Sequence, residues 1–75
     1  MTTEQLRTAV RASPFRPFTI RMADGRSFAV PHPDFLSVSP AGRTVVIYNE
    51  DDSASIVDLL LMTELQMSPP TGQRA

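Results

Sequence analysis

Phe18-Thr19-Ile20-Arg21-Met22-Ala23-Asp24-Gly25-Arg26-Ser27-Phe28-Ala29-Val30 is the stretch whose register decides the fold. Phe18, Ile20 and Met22 alternate with Thr19 and Arg21, the period of a half-buried strand. Asp24-Gly25 marks a hairpin, and Phe28 and Val30 carry the return strand. A two-residue loop of Asp24-Gly25 would set Ile20 opposite Ala29 and send Phe28 and Val30 to the wrong face, since a one-residue slip inverts every side chain. A three-residue loop, Ala23-Asp24-Gly25 with Gly25 left-handed in a bulge, pairs Ile20 with Phe28 and Phe18 with Val30. All five apolar side chains then share one face. Positive φ at Gly25 is the expectation.

Downstream, Pro31-His32-Pro33-Asp34 is a corner, because proline is tolerated at strand ends and not inside a ladder. Phe35-Leu36-Ser37-Val38 and Thr44-Val45-Val46-Ile47-Tyr48 read as strands joined by Pro40-Ala41-Gly42, a second loop ending in glycine. With the same three-residue loop, Leu36 lies opposite Val46 and Phe35 opposite Ile47, so both faces of the pair are apolar. Phe35, Val45 and Ile47 then need cover, from barrel closure or from a neighbouring subunit. Glu50-Asp51-Asp52-Ser53 is a solvated turn.

Residues 54–67 admit two readings. As a helix, Ser55 and Asp58 form a capping box and Ile56, Leu59, Leu60, Thr63 and Met67 form a stripe. As strands, Ser55-Ile56-Val57 pairs with Val45–Tyr48. A tight turn at Asp58–Leu60 follows, and Leu61, Leu65 and Met67 line a last strand. Periodicity alone does not decide, and the strand reading is preferred. From Ser68 onward, with Pro69, Pro70 and Gly72, the expectation is a disordered tail, leaving one domain over residues 1–67.

Upstream, residues 2–12 read as a helix. Thr2 and Gln5 make a capping box, Met1 and Leu6 a hydrophobic staple, and Leu6, Ala9 and Val10 an apolar stripe facing away from Glu4, Arg7 and Arg11. Pro14 stops it, since a residue before proline is pushed out of the α region. Pro14-Phe15-Arg16-Pro17 is a stiff linker, with Phe15 anchoring it to the core.

At 75 residues the chain is near the lower limit for a self-sufficient core. It has no cysteine and one histidine, so neither a disulfide nor a four-ligand N/S zinc site can staple it. Packing, or packing with self-association, must supply the stability. Absent cysteines, a polar N-terminus and an apolar run no longer than Leu59–Met62 make a cytoplasmic protein without a membrane span the expectation. Net charge is −1, so no global basic field points to nucleic acid. All seven basic residues are arginine, which suits bidentate contacts to phosphate or carboxylate, although codon bias in a GC-rich genome is the preferred reading.

Pro14-Phe15-Arg16-Pro17-Phe18, Asp24-Gly25-Arg26 and His32-Pro33-Asp34-Phe35, in this order, resemble a family of short bacterial proteins of uncharacterised activity. The resemblance covers residues 2–67 and implies no site residue. The order helix, strand, Asp-Gly turn, bent strand, Gly turn, strand, hairpin, tight turn and last strand is similar to the Sm-like fold. That resemblance implies a bent five-stranded barrel whose subunits form rings by pairing edge strands. In the bacterial Sm-like RNA chaperone a Tyr-Lys-His run before the last strand contacts RNA; here the matching stretch is Asp58-Leu59-Leu60, acidic and apolar. The Asp…Met-Asn motif of eukaryotic Sm proteins is not reproduced by His32-Pro33-Asp34-Phe35. The expected fold is mostly β with one N-terminal helix, a small bent antiparallel Sm-like or SH3-like barrel. The alternative is an α+β meander with helices at both ends.

His32 and Asp34 are spaced for a carboxylate to orient an imidazole, yet no local nucleophile accompanies them, and a loop histidine bonded to backbone is the simpler reading. Glu50, Asp51 and Asp52 lack the ligand alternation of a calcium loop. Phe15, Arg16, Arg21, Arg26 and His32 form the candidate binding patch, a guanidinium–aromatic surface whose plain alternative is a solvated strand face paired with Asp24 or Asp34. No catalytic residue, cofactor or metal is assigned. The expected function is a non-enzymatic, self-associating interaction module, a homo-oligomer joined along strand edges. The alternative is an Sm-like RNA binder using Arg16, Arg21 and Arg26, with a protein partner also open; a pocket around His32 ranks third.

Overall fold

The computed structural model of the protein describes residues 1–68. Helix α1 (Thr3–Arg11) is followed by strands β1 (Phe18–Met22), β2 (Ser27–Val30), β3 (Leu36–Val38), β4 (Thr44–Tyr48), β5 (Ala54–Asp58) and β6 (Met62–Met67). Short 3₁₀ turns, Pro33–Phe35 and Leu59–Leu61, precede β3 and β6. The strands make two antiparallel sheets, in the orders β2-β1-β6 and β3-β4-β5. Among the described residues no ladder joins one sheet to the other.

The capping box of α1 is present: the Gln5 N–H donates to Thr2 Oγ1 at 3.2 Å and the Thr2 N–H to Gln5 Oε1 at 3.0 Å. Three turns of helix would fray alone, so tertiary burial must hold them. Leu6 is fully buried, and Met1, Ala9 and Val10 pack partly against the core. Burying Leu6 alone stabilises by about 1.5–3 kcal/mol. Arg7 does not face away as expected. Its guanidinium donates to the carbonyls of Ser39 and Pro40 at 3.2 and 3.4 Å, tying α1 to the β3–β4 turn. After the helix, the Phe15 ring sits 5.9 Å from that of Phe18, anchoring the linker.

The first hairpin has the expected register, Phe18 opposite Val30 and Ile20 opposite Phe28. Its turn closes by Met22 N–H to Arg26 O at 2.8 Å, and Gly25 takes φ +94°.

The second hairpin differs by one residue. Leu36 lies opposite Ile47 and Val38 opposite Val45, not Leu36 opposite Val46. The loop is Pro40–Arg43, closed by the Ser39 N–H donating to Thr44 O at 2.8 Å. The Ser39 hydroxyl oxygen accepts from the N–H groups of Arg43 and Thr44 at 3.4 and 3.2 Å, capping the longer turn. Val45 and Ile47 therefore join Leu36 in the interior, both at 0% exposure, and need no neighbouring subunit to cover them. Phe35 belongs to the 3₁₀ turn and has no ladder partner.

Residues 54–67 are strands, with a correction in β6. Leu61 is 53% exposed and Met62 is buried, the reverse of the period-two expectation. A bulge at Thr63 shifts the register between Arg21 and Met22, so Met62 opposes Met22 while Leu65 opposes Ile20. The 3₁₀ turn before it is held by Asp58 Oδ1 accepting from Leu60 N–H at 2.9 Å and by Leu59 N–H donating to Arg43 O at 2.7 Å. Of the tail expected from residue 68, only Ser68 lies within the described residues, and its N–H donates to Pro17 O at 3.0 Å. The core is one cluster filled by the inward faces of both sheets and by Leu6 of α1.

Candidate interaction surface

The residues of the candidate patch are spread over the first sheet and its corners. Arg21 points outward from β1, where its Nε and Nη2 donate to Gln66 Oε1 at 3.0 and 2.6 Å and its Nε pairs with Glu64 at 3.4 Å. Arg26 turns to the opposite side of the hairpin. It lies 5.6 Å from the Phe28 ring centre and pairs with Asp24 at 2.8 Å. The Arg26 N–H donates to Asp24 Oδ1, and with the guanidinium beside it this holds the Asp24 carboxyl below the usual 3.8. Arg16 donates to the carbonyl of Ser68 at 2.6 Å, and the Phe15 ring packs against that of Phe18, tilted by 54°. His32 is exposed, its ring 6.0 Å from that of Phe35. Two of the arginines thus face carboxylates of their own chain, on different faces of one hairpin.

The turn Asn49–Ser53 is organised by its own side chains. Asp51 Oδ1 accepts from the Ser53 hydroxyl at 2.6 Å and from the Ser53 N–H at 3.0 Å, and these bonds lower the Asp51 carboxyl below 3.8. Among the described residues no group of three His, Cys, Asp or Glu side chains is placed to hold a metal ion.

A different surface carries unpartnered apolar side chains. The ladder sets Ser37, Val46 and Ile56 abreast, with Tyr48 beside Ala54, all on the outer face of β3-β4-β5. Ile56 is 73% exposed and Tyr48 42% exposed. Leu60 and Leu61, in the 3₁₀ turn after β5, are also more than half exposed. Among the described residues β5 has a hydrogen-bonded neighbour on one side only, and so has β6. Sequence reasoning missed this face because the shifted register assigned Val46 to the interior. The signal present in the sequence was Ser39, a turn-capping residue placed to lengthen the loop.

Compared with protein-family models, curated proteins and solved structures, the chain matches none. No helix among the described residues is long and apolar enough to cross a membrane.

Proposed function

We propose that this protein is a non-enzymatic assembly module that associates with copies of itself. The observation that carries the reading is the outer face of β3-β4-β5, where the exposed Tyr48 and Ile56 flank the half-buried Val46 and, among the described residues, β5 is an edge strand. Contiguous exposed apolar groups on a small domain mark contact surfaces, and an open strand edge is a template for pairing. In the same reading the two sheets are the halves of a bent, Sm-like barrel. In support, β1 lies between β2 and the C-terminal β6, and only the corner at Pro31–Phe35 separates β2 from β3. The RNA-binding alternative ranks lower because Arg21 and Arg26 already pair with Glu64 and Asp24, and few phosphate contacts remain for scattered arginines. Sedimentation of the full chain tests the proposal. Mass should rise with concentration, and Ile56→Asp should reduce it to that of one chain with an unchanged circular dichroism spectrum. Equal masses for wild type and variant at every concentration would overturn it.

A further inference from the structure

A groove of about 320 Å³ opens between the end of β2 and the end of β4, lined by Ala29, Pro31, Phe35, Tyr48, Asn49 and Glu50. Two aromatic residues beside one carboxylate are the chemistry of a cation seat, the aromatic faces attracting the charge and the carboxylate accepting its N–H groups. Among the described residues Glu50 has neither a hydrogen-bond nor an ion-pair partner from its side chain. The chain has no lysine, so a permanently charged side chain supplied by another copy is an arginine. Arg7 and Arg16 are occupied by backbone carbonyls, and Arg21, Arg26 and Arg43 by carboxylates. Arg11 is the one arginine among the described residues without such a partner. It is exposed in the last turn of α1, beside a second groove that runs along Leu36, Ser37 and Val38.

We propose that the groove at Phe35, Tyr48 and Glu50 seats the Arg11 guanidinium of a second copy. This rests on the self-association proposed above and names one contact that carries it. Each copy contributes one seat and one arginine, so the contact links different surfaces of the two molecules. A planar guanidinium covers an aromatic side chain and bonds a carboxylate at the same time, which a lysine ammonium does less well.

Tyr48 is the single tyrosine and there is no tryptophan, so intrinsic fluorescence reads this groove alone. On dilution of the wild-type protein, Tyr48 emission should change in step with the fall in mass. Arg11→Glu and Glu50→Arg should each weaken association by about tenfold or more while keeping the fold. An equimolar mixture of the two variants should recover it, because each supplies the half that the other lacks. If both variants associate as tightly as wild type while Ile56→Asp does not, the seat is wrong and the assembly stands. A mixture no tighter than its components also overturns the seat. A wild-type chain that is monomeric throughout overturns both.

Discussion

The sheet β2-β1-β6 turns Thr19, Arg21, Ser27, Glu64 and Gln66 outward, whereas β3-β4-β5 turns Ser37, Val46, Tyr48 and Ile56 outward. Inward the two are alike: Phe18, Ile20, Met22 and Val30 on one side meet Leu36, Val45, Ile47 and Val57 on the other, all buried. On the first sheet the outer face is settled within the chain, since Arg21 reaches both Gln66 and Glu64 across the ladder. On the second, an isoleucine 73% exposed contributes almost nothing to folding, because its apolar area is not removed from water. The inward faces answer to folding and the outward faces to surroundings. The second sheet's outer face carries exposed apolar side chains, and the first's is polar and paired within the chain.

The largest effect separates the two sides of the second sheet. Ile47→Asp places an unpaired charge in the interior, where residues are fully buried, and should cost at least about 3–5 kcal/mol. A domain this small should then be unfolded by circular dichroism at room temperature. Ile56→Asp, on the neighbouring strand, should leave the melting temperature of the dissociated subunit nearly unchanged. Similar losses for both would erase the distinction between the faces.

The two glycine turns offer the next comparison. Both glycines have positive φ, +94° at Gly25 and +82° at Gly42, but a Cβ at Gly25 meets nothing within 4 Å. At Gly42 it would stand 2.7 Å from Thr3 Oγ1, the hydroxyl that donates to the Gly42 carbonyl. Gly42→Ala should therefore combine backbone strain with displacement of the α1 end and cost about 2–3 kcal/mol, against about 1 kcal/mol for Gly25→Ala. Denaturant titration of both variants measures the gap. Equal losses would mean that the contact between α1 and the second turn contributes nothing.

The first hairpin was legible because five apolar residues at period two leave one register that buries them all. The second was not, because Val45, Val46 and Ile47 are consecutive and either register finds an apolar residue to bury. What decided it was the Ser39 hydroxyl capping a longer loop, a side-chain contact that periodicity does not carry. The bulge at Thr63 hid Met62 in the same way. That Arg21, Arg26 and Arg16 are exposed could be read from their positions. Their partners could not all be read: Asp24 is two residues from Arg26, but Glu64 reaches Arg21 only through the β1–β6 ladder.

The smallest effect concerns the two acidic turns. Asp24 in the first sheet and Asp51 in the second are both held below the ordinary 3.8, by the N–H and guanidinium of Arg26 and by the hydroxyl and N–H of Ser53. A carboxyl lowered in the folded chain stabilises it above the unfolded value, and that contribution is lost as pH falls through the lowered value. Thermal melts should thus show a shallow loss on acidification below pH 3.8, reduced in Asp24→Asn and Asp51→Asn. Both groups are exposed, so solvent screening keeps the effect small. A loss that begins well above that pH would place its origin elsewhere.

The proposal that copies meet through the outer face of the second sheet and not of the first is tested most directly by light scattering on three proteins: wild type, Arg21→Asp and Ile56→Asp. Wild type and Arg21→Asp should show the same mass above that of one chain, falling on dilution, because the first sheet's outer face lies outside the contact. Ile56→Asp should show the mass of one folded chain at every concentration. A wild-type protein that stays monomeric at high micromolar concentration, or an Ile56→Asp protein that assembles like it, would contradict the account.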